Sequence, residues 1–172
     1  MSRKNFKHRL VPFVELNTVN IDGVRHYVMP DGVTKLKSVT SILSEKMDKT
    51  ALLEWRKRVG EEEANKISTQ AARRGTSIHK MAERYILNEE NVYENEMPVN
   101  VESFKQIIPL LDEKVDNILG VEMALFSKAL KCAGRTDLIA EYDGILSVID
   151  FANSIWPDDC ADKTHFILKW SV

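Results

Sequence analysis

The stretch from Ala133 to Ser154 reads AGRTDLIAEYDGILSVIDFANS and predicts the hairpin around which the fold is organised. It contains two apolar-rich runs, Thr136 to Tyr142 and Ile145 to Phe151, separated by the dipeptide Asp143-Gly144. An Asp-Gly dipeptide between such runs is typical of a tight two-residue turn, because both residues tolerate a positive φ. We therefore predict two antiparallel strands joined at this turn.

The register of this hairpin brings two acidic residues together. A two-residue turn pairs Tyr142 with Ile145, and counting outward then places Asp137 opposite Asp150. Like charges directly opposite each other destabilise a sheet, whereas a divalent cation bound between the carboxylates removes the repulsion. The alternative is a pair of solvated acids on an exposed sheet face. The apolar neighbours of the two aspartates favour a buried hairpin, and hence the metal site; they are Leu138, Ile139, Val148, Ile149 and Phe151.

Composition and charge set only broad limits on the function. The chain has 172 residues, 44% of them hydrophobic and 29% charged, which is typical of one soluble globular domain with a substantial core. No apolar run is long enough to span a bilayer, and the basic N-terminus lacks the apolar core of a signal peptide. Cys132 and Cys160 have no ligand-like spacing, which fits a reducing, cytoplasmic compartment and predicts no zinc site. Because the net charge is −2, any binding of nucleic acid requires a local basic patch.

The first part of the chain predicts a basic arm, a hairpin and a capped helix. Residues 1–19 lead into the domain, beginning with an arm at residues 1–9 that we expect to be mobile. Alternating residues from Glu15 to Met29 predict a hairpin that turns at Asp22-Gly23. A short helix is predicted from Ser38 to Leu43, because the serine hydroxyl accepts hydrogen bonds from free N–H groups at a helix start.

Two further helices carry the basic and histidine residues of interest. The first begins at Asp48 or Thr50 and stops near Gly60, and its basic face is most simply interpreted as a solvated surface. The second runs from about Glu61 to Leu87, because apolar residues recur there at helical spacing.

Within the second helix, His79 and Glu83 are four residues apart, so they lie on one face, one turn from each other. Gly75 lies one turn before His79 on that face, and a glycine inside a helix costs up to ~1 kcal/mol relative to alanine. Taken alone, this segment is most simply a surface His-Glu pair with a packing glycine.

The rest of the pattern predicts a loop, a bent helix and a third strand. The acidic segment from Asn88 to Asn100 is predicted as a loop. The helix after it runs from about Phe104, is bent or interrupted at Pro109, and ends at Gly120. Val121 to Ser127 is predicted as a strand that leads into the central hairpin. Segregated helices and antiparallel strands indicate an α/β or α+β fold. No phosphate-binding glycine loop or Ser-His-Asp motif is present, so no nucleotide cofactor is expected.

Five short segments resemble, in the same order, the motifs of the PD-(D/E)XK nuclease superfamily. They are Ser38-Val39-Thr40-Ser41-Ile42-Leu43, Leu53-Glu54-Trp55-Arg56, Arg74-Gly75-Thr76 with His79 and Glu83, Gly134-Arg135-Thr136-Asp137, and Ile149-Asp150-Phe151. Within the superfamily, the chain is most similar to phage exonucleases related to the mitochondrial genome maintenance exonuclease, and more distantly to RecB-type nuclease domains. The resemblance covers residues 20–154 and implies a restriction-endonuclease-like core, with a mixed sheet flanked by helices and the acids on an antiparallel hairpin. It also implies Mg²⁺- or Mn²⁺-dependent hydrolysis of DNA, in phage replication or recombination in the host cytoplasm.

The resemblance implies a role for each matching residue. Asp137 and Asp150 match the two metal-binding, catalytic acids, and His79 matches the helix histidine that reaches the metal. Glu83 and Glu122 are secondary candidates near the metal. Four basic residues are expected to hold the DNA backbone without reading its sequence; they are Arg56, Lys57, Arg73 and Arg74. The implied partners are a divalent cation and DNA ends or single strands, with no membrane.

The chain departs from the family pattern at Ala152. The family has a lysine at this position, beside the attacking water and the phosphate, so its replacement should cripple catalysis while leaving metal binding possible. The hairpin register places Arg135 opposite Ala152, and we hypothesise that its guanidinium supplies the missing charge, although arginine stays protonated and cannot transfer protons. The tail from Ile155 to Val172 lacks the family's helix and is a divergence, an altered reading frame or the end of a fragment. Within it, His165 and Trp170 are expected to be packing residues.

Three functional interpretations follow. The first is an active metal-dependent exodeoxyribonuclease, and intact His79, Asp137 and Asp150 favour at least retained metal binding. The second is a nuclease-fold protein without catalysis that binds DNA or a partner protein, which Ala152 and the short tail favour. The third, a generic α+β domain with chance matches, is disfavoured because the matches occur in the family's order.

Overall fold

The computed structural model describes residues 3–152 and 166–171, and over this part of the chain seven strands and five helices form an α/β fold. The strands are β1 (Thr18–Ile21), β2 (Val24–Val28), β3 (Lys35–Ser38), β4 (Val115–Ser127), β5 (Cys132–Tyr142), β6 (Ile145–Ala152) and β7 (Phe166–Ser171). The helices are α1 (Val39–Lys46), α2 (Thr50–Val59), α3 (Glu61–Ile86), α4 (Pro98–Lys105) and α5 (Ile108–Lys114). None of these helices is both long and apolar enough to cross a membrane.

All seven strands belong to one mixed sheet. Their order is β1-β2-β3-β5-β6-β7, and β4 pairs with β5 as well. Every pairing is antiparallel except that between β3 and β5, which is parallel. The predicted mixed sheet flanked by helices is therefore confirmed, and it is consistent with a restriction-endonuclease-like fold.

The central hairpin has the predicted turn and register. Tyr142 pairs with Ile145, and the antiparallel ladder continues to the pair Leu138 and Ile149. Asp143 and Gly144 have φ angles of 51° and 74°. Two consecutive positive φ angles are the requirement of a type I′ turn, whose twist matches that of the strands it joins.

One edge of β5 is shared between two neighbours. Residues 132–133 pair with the end of β3, and residues 138–142 pair with β6, while β4 occupies the opposite edge. Residues 134–137 lie between these two ladders, so the sheet forks at this point. Side chains bridge the fork: Thr136 Oγ1 donates to the carbonyl of Ile149 at 3.1 Å, and the Phe151 N–H donates to Asp137 Oδ2 at 2.6 Å.

Two apolar clusters lie on either side of the fork. The larger one joins α3, α4 and α5 to the sheet, and its fully buried members include Met81, Ile86, Phe104, Leu111, Val115, Ile118, Leu138 and Ile149. The smaller one consists of Leu16, Tyr27, Met29, Leu36, Ala124 and Ala133. Because β5 contributes Ala133 to one cluster and Leu138 to the other, the polar residues between them are held by rigid packing at both ends.

Residues 3–9 of the N-terminal arm, which was predicted to be mobile, pack against the rest of the described fold. Phe6 is only 3% exposed, and its ring meets Tyr85 edge-on at a centroid distance of 5.6 Å. His8 forms a parallel bridge with Ile118 in β4. Basic side chains of the arm donate to carbonyl oxygens near the ends of α3 and α5, an attachment that a linear pattern does not reveal.

The predicted boundaries after α3 also need correction. α4 begins at Pro98, inside the predicted loop, and β4 begins at Val115, whereas the predicted helix continued to Gly120. Val115 and Ile118 are both fully buried although they are three residues apart, a spacing that resembles a helix. The register of β4 against β5 shifts here and Asn117 has a φ of 44°, so a bulge brings both side chains into the core.

Candidate metal centre

His79 reaches the sheet from α3. This helix begins with three consecutive glutamates, whose negative charges stabilise the helix by interacting with the positive end of its dipole. Ile78, Met81 and Ala82 on its inner face are buried, while the His79 side chain is 36% exposed at the margin of this face. Its Nδ1 lies 3.3 Å from Asp137 Oδ1, and its ring meets Phe151 edge-on. The packed helix therefore directs the histidine at the fork in the sheet.

Glu122 lies beside Asp137 on the neighbouring strand. In the β4–β5 ladder, the pairs on either side of Glu122 are Val121 with Leu138 and Met123 with Thr136, which leaves Glu122 next to Asp137. Glu122 has a φ of 51°, a conformation that costs a residue with a side chain about 1–3 kcal/mol. Such strain is often found at functional sites, where the surrounding fold maintains it.

Three potential ligands converge at this point. One ligand atom each of His79, Glu122 and Asp137 lies within 4.8 Å of the others. Asp150 on β6 is not one of these three, but it lies close enough that the charge of Asp137 and a hydrogen bond with its carboxyl group raise the pKa of Asp150. This proximity agrees with the predicted register, although the paired residues of the hairpin ladder end at Leu138 and Ile149.

Burial and the close approach of several negative charges shift the pKa values of the acidic residues in the site. Burial, the charge of Asp137 and the hydrogen bond between the two carboxyl groups raise the pKa of Asp150 to about 6. Burial, together with the charge of Asp137, also raises the pKa of Glu122. Burial opposes ionisation of Asp137 as well, but hydrogen bonds from His79 and the Phe151 N–H outweigh it and lower its pKa. The hydrogen bond to Asp137 raises the pKa of His79 against the effect of burial.

This donor set fits a hard divalent cation. Three carboxylates lie on adjacent strands, and the pKa values of two of them, Glu122 and Asp150, are raised by burial and then by the negative charge of Asp137. Carboxylate oxygens are the preferred ligands of Mg²⁺ and Mn²⁺, and an imidazole is compatible with a first-row transition metal such as Mn²⁺. His79, Glu122 and Asp137 could hold such an ion, with Asp150 beside them.

The other predicted site residues lie at different distances from this cluster. Arg135 Nη2 is 2.9 Å from Glu15 Oε2, and its Nη1 is 4.0 Å from Glu122 Oε2. Its predicted pairing with Ala152 lies beyond the paired residues of the hairpin ladder. Glu83 is close enough for its charge to raise the pKa of Glu122 further. Arg135 therefore approaches the site from the side of Glu122.

The predicted DNA-binding residues are on α2 and α3. Arg56 contacts the side chains of Glu61 and Asn65 at 2.7 and 2.6 Å. The remaining three are exposed; they are Lys57, Arg73 and Arg74. The structure thus leaves these three cations available at the surface, whereas Arg56 also joins α2 to the start of α3.

A cleft of about 530 Å³ opens beside His79, and its lining was only partly predicted. It is lined by Gly75, Thr76, His79, Lys80 and Glu83. Lys80 and Thr76 were not predicted to belong to the site, and Glu122 was only a secondary candidate. The helical spacing around His79 was a signal for Thr76 and Lys80, but no sequence pattern signalled the position of Glu122.

Comparison with known proteins points to nucleases in general. No protein-family model matches the chain. The curated mouse (Mus musculus) protein "Mitochondrial genome maintenance exonuclease 1" is 29% identical over an alignment of 137 residues, and the alignment covers 76% of this chain. The chain spans 40% of the length of that relative. This distant similarity suggests a nuclease, in agreement with an acidic, histidine-containing site.

Proposed function

We propose that the chain is a metal-dependent DNA nuclease of the PD-(D/E)XK type, an exodeoxyribonuclease that acts on DNA ends or single strands. We further propose that it serves phage DNA replication or recombination in the host cytoplasm. The observation that carries the proposal is the convergence of His79, Glu122 and Asp137, with Asp150 hydrogen-bonded to Asp137. The distant similarity to an exonuclease supports the same class of reaction.

Each residue of the cluster has a distinct part in this proposal. Asp137, Glu122 and His79 would hold the cation, and Asp150 would add a further carboxylate beside Asp137. A bound Mg²⁺ or Mn²⁺ supplies an activated water and neutralises charge on the attacked phosphate and the departing oxygen. Lys57, Arg73 and Arg74, which are exposed, hold the DNA backbone, as does Arg56, and such contacts carry no sequence information.

A second candidate function is a nuclease-fold protein that has lost catalysis and binds DNA or a partner protein. The specific observation in its favour is Ala152, which leaves β6 without a cation two residues after Asp150. Arg135 is the candidate replacement, because it approaches Glu122 to 4.0 Å, but its closer contact is to Glu15.

Cleavage of end-labelled linear DNA with Mg²⁺ or Mn²⁺ tests the proposal. We expect progressive loss of label that stops when the metal is chelated, and no loss with the Asp150→Asn variant, which keeps the shape of the side chain but not its charge. Metal-dependent cleavage by Asp150→Asn at the rate of the natural chain would refute the assigned site.

Metal titration without DNA separates the two candidate functions. A chain that binds Mn²⁺ but leaves DNA intact supports the protein without catalysis. A chain that neither binds metal nor cleaves DNA excludes the nuclease.

A further inference from the structure

The candidate metal centre carries more negative charge than one divalent cation can balance. The cluster contains Glu122, Asp137 and Asp150, so one divalent cation does not fully neutralise it. A phosphodiester is itself an anion, which the remaining negative charge of the cluster would repel. A phosphate in the cleft beside His79 therefore needs a cation from the cleft wall.

Among the described residues that line the cleft, Lys80 is the lysine, and the lining also includes the carboxylate of Glu83. Its side chain is 51% exposed, and its ion pair with Glu96 is long, at 4.0 Å between Nζ and Oε1. Glu96 is itself 9% exposed and accepts a short hydrogen bond from the Ser77 hydroxyl. The carboxylate is thus fixed by another partner, while the ammonium group is free to turn towards a ligand. Arg135, by contrast, has a close contact to Glu15.

Gly75 forms an open part of the same wall. A Cβ atom added at this helical position would meet nothing within 4 Å in the described part of the chain, apart from the backbone of its own helix and its chain neighbours. Packing within the described part of the chain therefore does not account for a glycine here, although glycine costs a helix up to ~1 kcal/mol relative to alanine. Close approach of a ligand to the helix backbone is one use of a missing side chain.

We propose that this cleft is a phosphate subsite, in which Lys80 contacts the DNA phosphodiester next to the metal centre and Gly75 lets the backbone approach α3. This inference rests on the proposed nuclease function and extends it to a defined substrate contact. Lys80 provides a compact positive charge at the end of a flexible side chain, which is how lysine usually binds phosphate.

DNA binding by Lys80→Gln and Lys80→Arg, measured across a range of salt concentrations, tests the subsite. Ca²⁺ replaces Mg²⁺ so that the DNA stays intact, and the probe is a single-stranded oligonucleotide. We expect Lys80→Gln to bind roughly tenfold more weakly. We also expect the slope of log K against log salt to become shallower by about 0.7, the value for one lost phosphate contact to a single strand. Lys80→Arg should restore both.

Lys105→Gln is a matched control, because Lys105 is 50% exposed, pairs with Glu102 and is absent from the cleft lining. It should match the natural chain in affinity and slope. If Lys80→Gln also matches the natural chain, the subsite is wrong. Mn²⁺ titration of the natural chain without DNA distinguishes failure of the subsite from failure of the proposed function. If the natural chain binds neither Mn²⁺ nor DNA, the proposed nuclease function itself is wrong.

Gly75→Ala provides an independent test with opposite effects on stability and binding. The added methyl group improves helix propensity, so the unfolding temperature should rise by about 2–4 °C. The same methyl group intrudes on the subsite, so oligonucleotide affinity should fall. A variant that is stabilised and binds DNA as well as the natural chain would contradict the role of Gly75.

Discussion

His79 Nδ1 lies 3.3 Å from Asp137 Oδ1, so one contact joins helix α3 to the central strand of the sheet. The other oxygen of Asp137 accepts the Phe151 N–H at 2.6 Å. A single carboxylate therefore orients the histidine and also bridges the fork between β5 and β6. Its charge and its hydrogen bond can be separated by mutation.

Asp137→Asn should lose metal binding while keeping the fold, because the amide oxygen can still accept the Phe151 N–H. Loss of a residue that only supports a metal ligand lowers metal affinity by about 10–100-fold. Because Asp137 would be a ligand itself, we expect a larger fall in Mn²⁺ affinity. Asp137→Ala removes the acceptor too, and an unpaired buried N–H costs about 1–3 kcal/mol of unfolding free energy. Calorimetric titration and urea unfolding measure the two effects. Equal stability of the Asn and Ala variants would show that the bridge across the fork is unimportant.

The stability of the metal-free protein should fall as the pH rises through about 6. The pKa of Asp150 is raised in the folded state from 3.8 to about 6, so the folded state binds the proton more tightly than the unfolded state does. The stabilisation from this proton is complete below the pKa that Asp150 has in the unfolded state. It is lost as the pH rises through the pKa of Asp150 in the folded state. Metal affinity should rise over the same range, because the proton must leave first.

Thermal unfolding in chelator, from pH about 4 to about 8, checks this expectation. Asp150→Asn is the control, since it removes this titration and leaves that of Glu122, whose raised pKa acts in the same direction. An unfolding profile of Asp150→Asn that parallels the natural one would exclude Asp150 as the source.

Arg135→Ala should slow cleavage if the guanidinium replaces the missing lysine. We expect roughly a tenfold loss, which corresponds to about 1.4 kcal/mol on the barrier. Ala152→Lys should have the opposite effect and raise the rate. Single-turnover cleavage with both variants measures this directly, and an unchanged rate for Arg135→Ala would eliminate the compensation hypothesis.

Phe6→Ala should destabilise the protein by about 3–5 kcal/mol, because it empties a buried site in the main core. Phe6 is 3% exposed, whereas Phe13, only seven residues later, is 43% exposed. Phe13→Ala is therefore a matched control that should change stability by no more than about 0.5 kcal/mol. Urea unfolding of the two variants compares them, and equal effects would mean that the arm is not anchored through Phe6.

Much of the local structure was predictable from short segments. The central turn follows from Asp143-Gly144, because few residues adopt two consecutive positive φ angles. Ser38 caps α1 as predicted, with its hydroxyl accepting from the Ser41 N–H at 3.3 Å. The extent of α3 followed from apolar residues at helical spacing. In each of these cases, residues close in the chain make the decisive contacts.

Interactions distant in the chain account for what was missed. Residues 115–120 have helical spacing, yet pairing with β5 and a bulge make them a strand. The arm looked like a free basic segment, yet its backbone and side chains bond to α3, α5 and β4. A linear pattern records neither the partner strand nor the helix ends that select these conformations.

By itself, the sequence determined the hairpin, its register and the approach of Asp137 to Asp150, because a two-residue turn fixes which residues face each other. The family resemblance had named His79 and, as a secondary candidate, Glu122, but only the tertiary structure shows that both converge on Asp137. α3 must pack on the sheet to deliver the histidine, and β4 must pair with β5 in one register to place the glutamate. Those arrangements depend on burial summed over the whole core, which no single segment encodes.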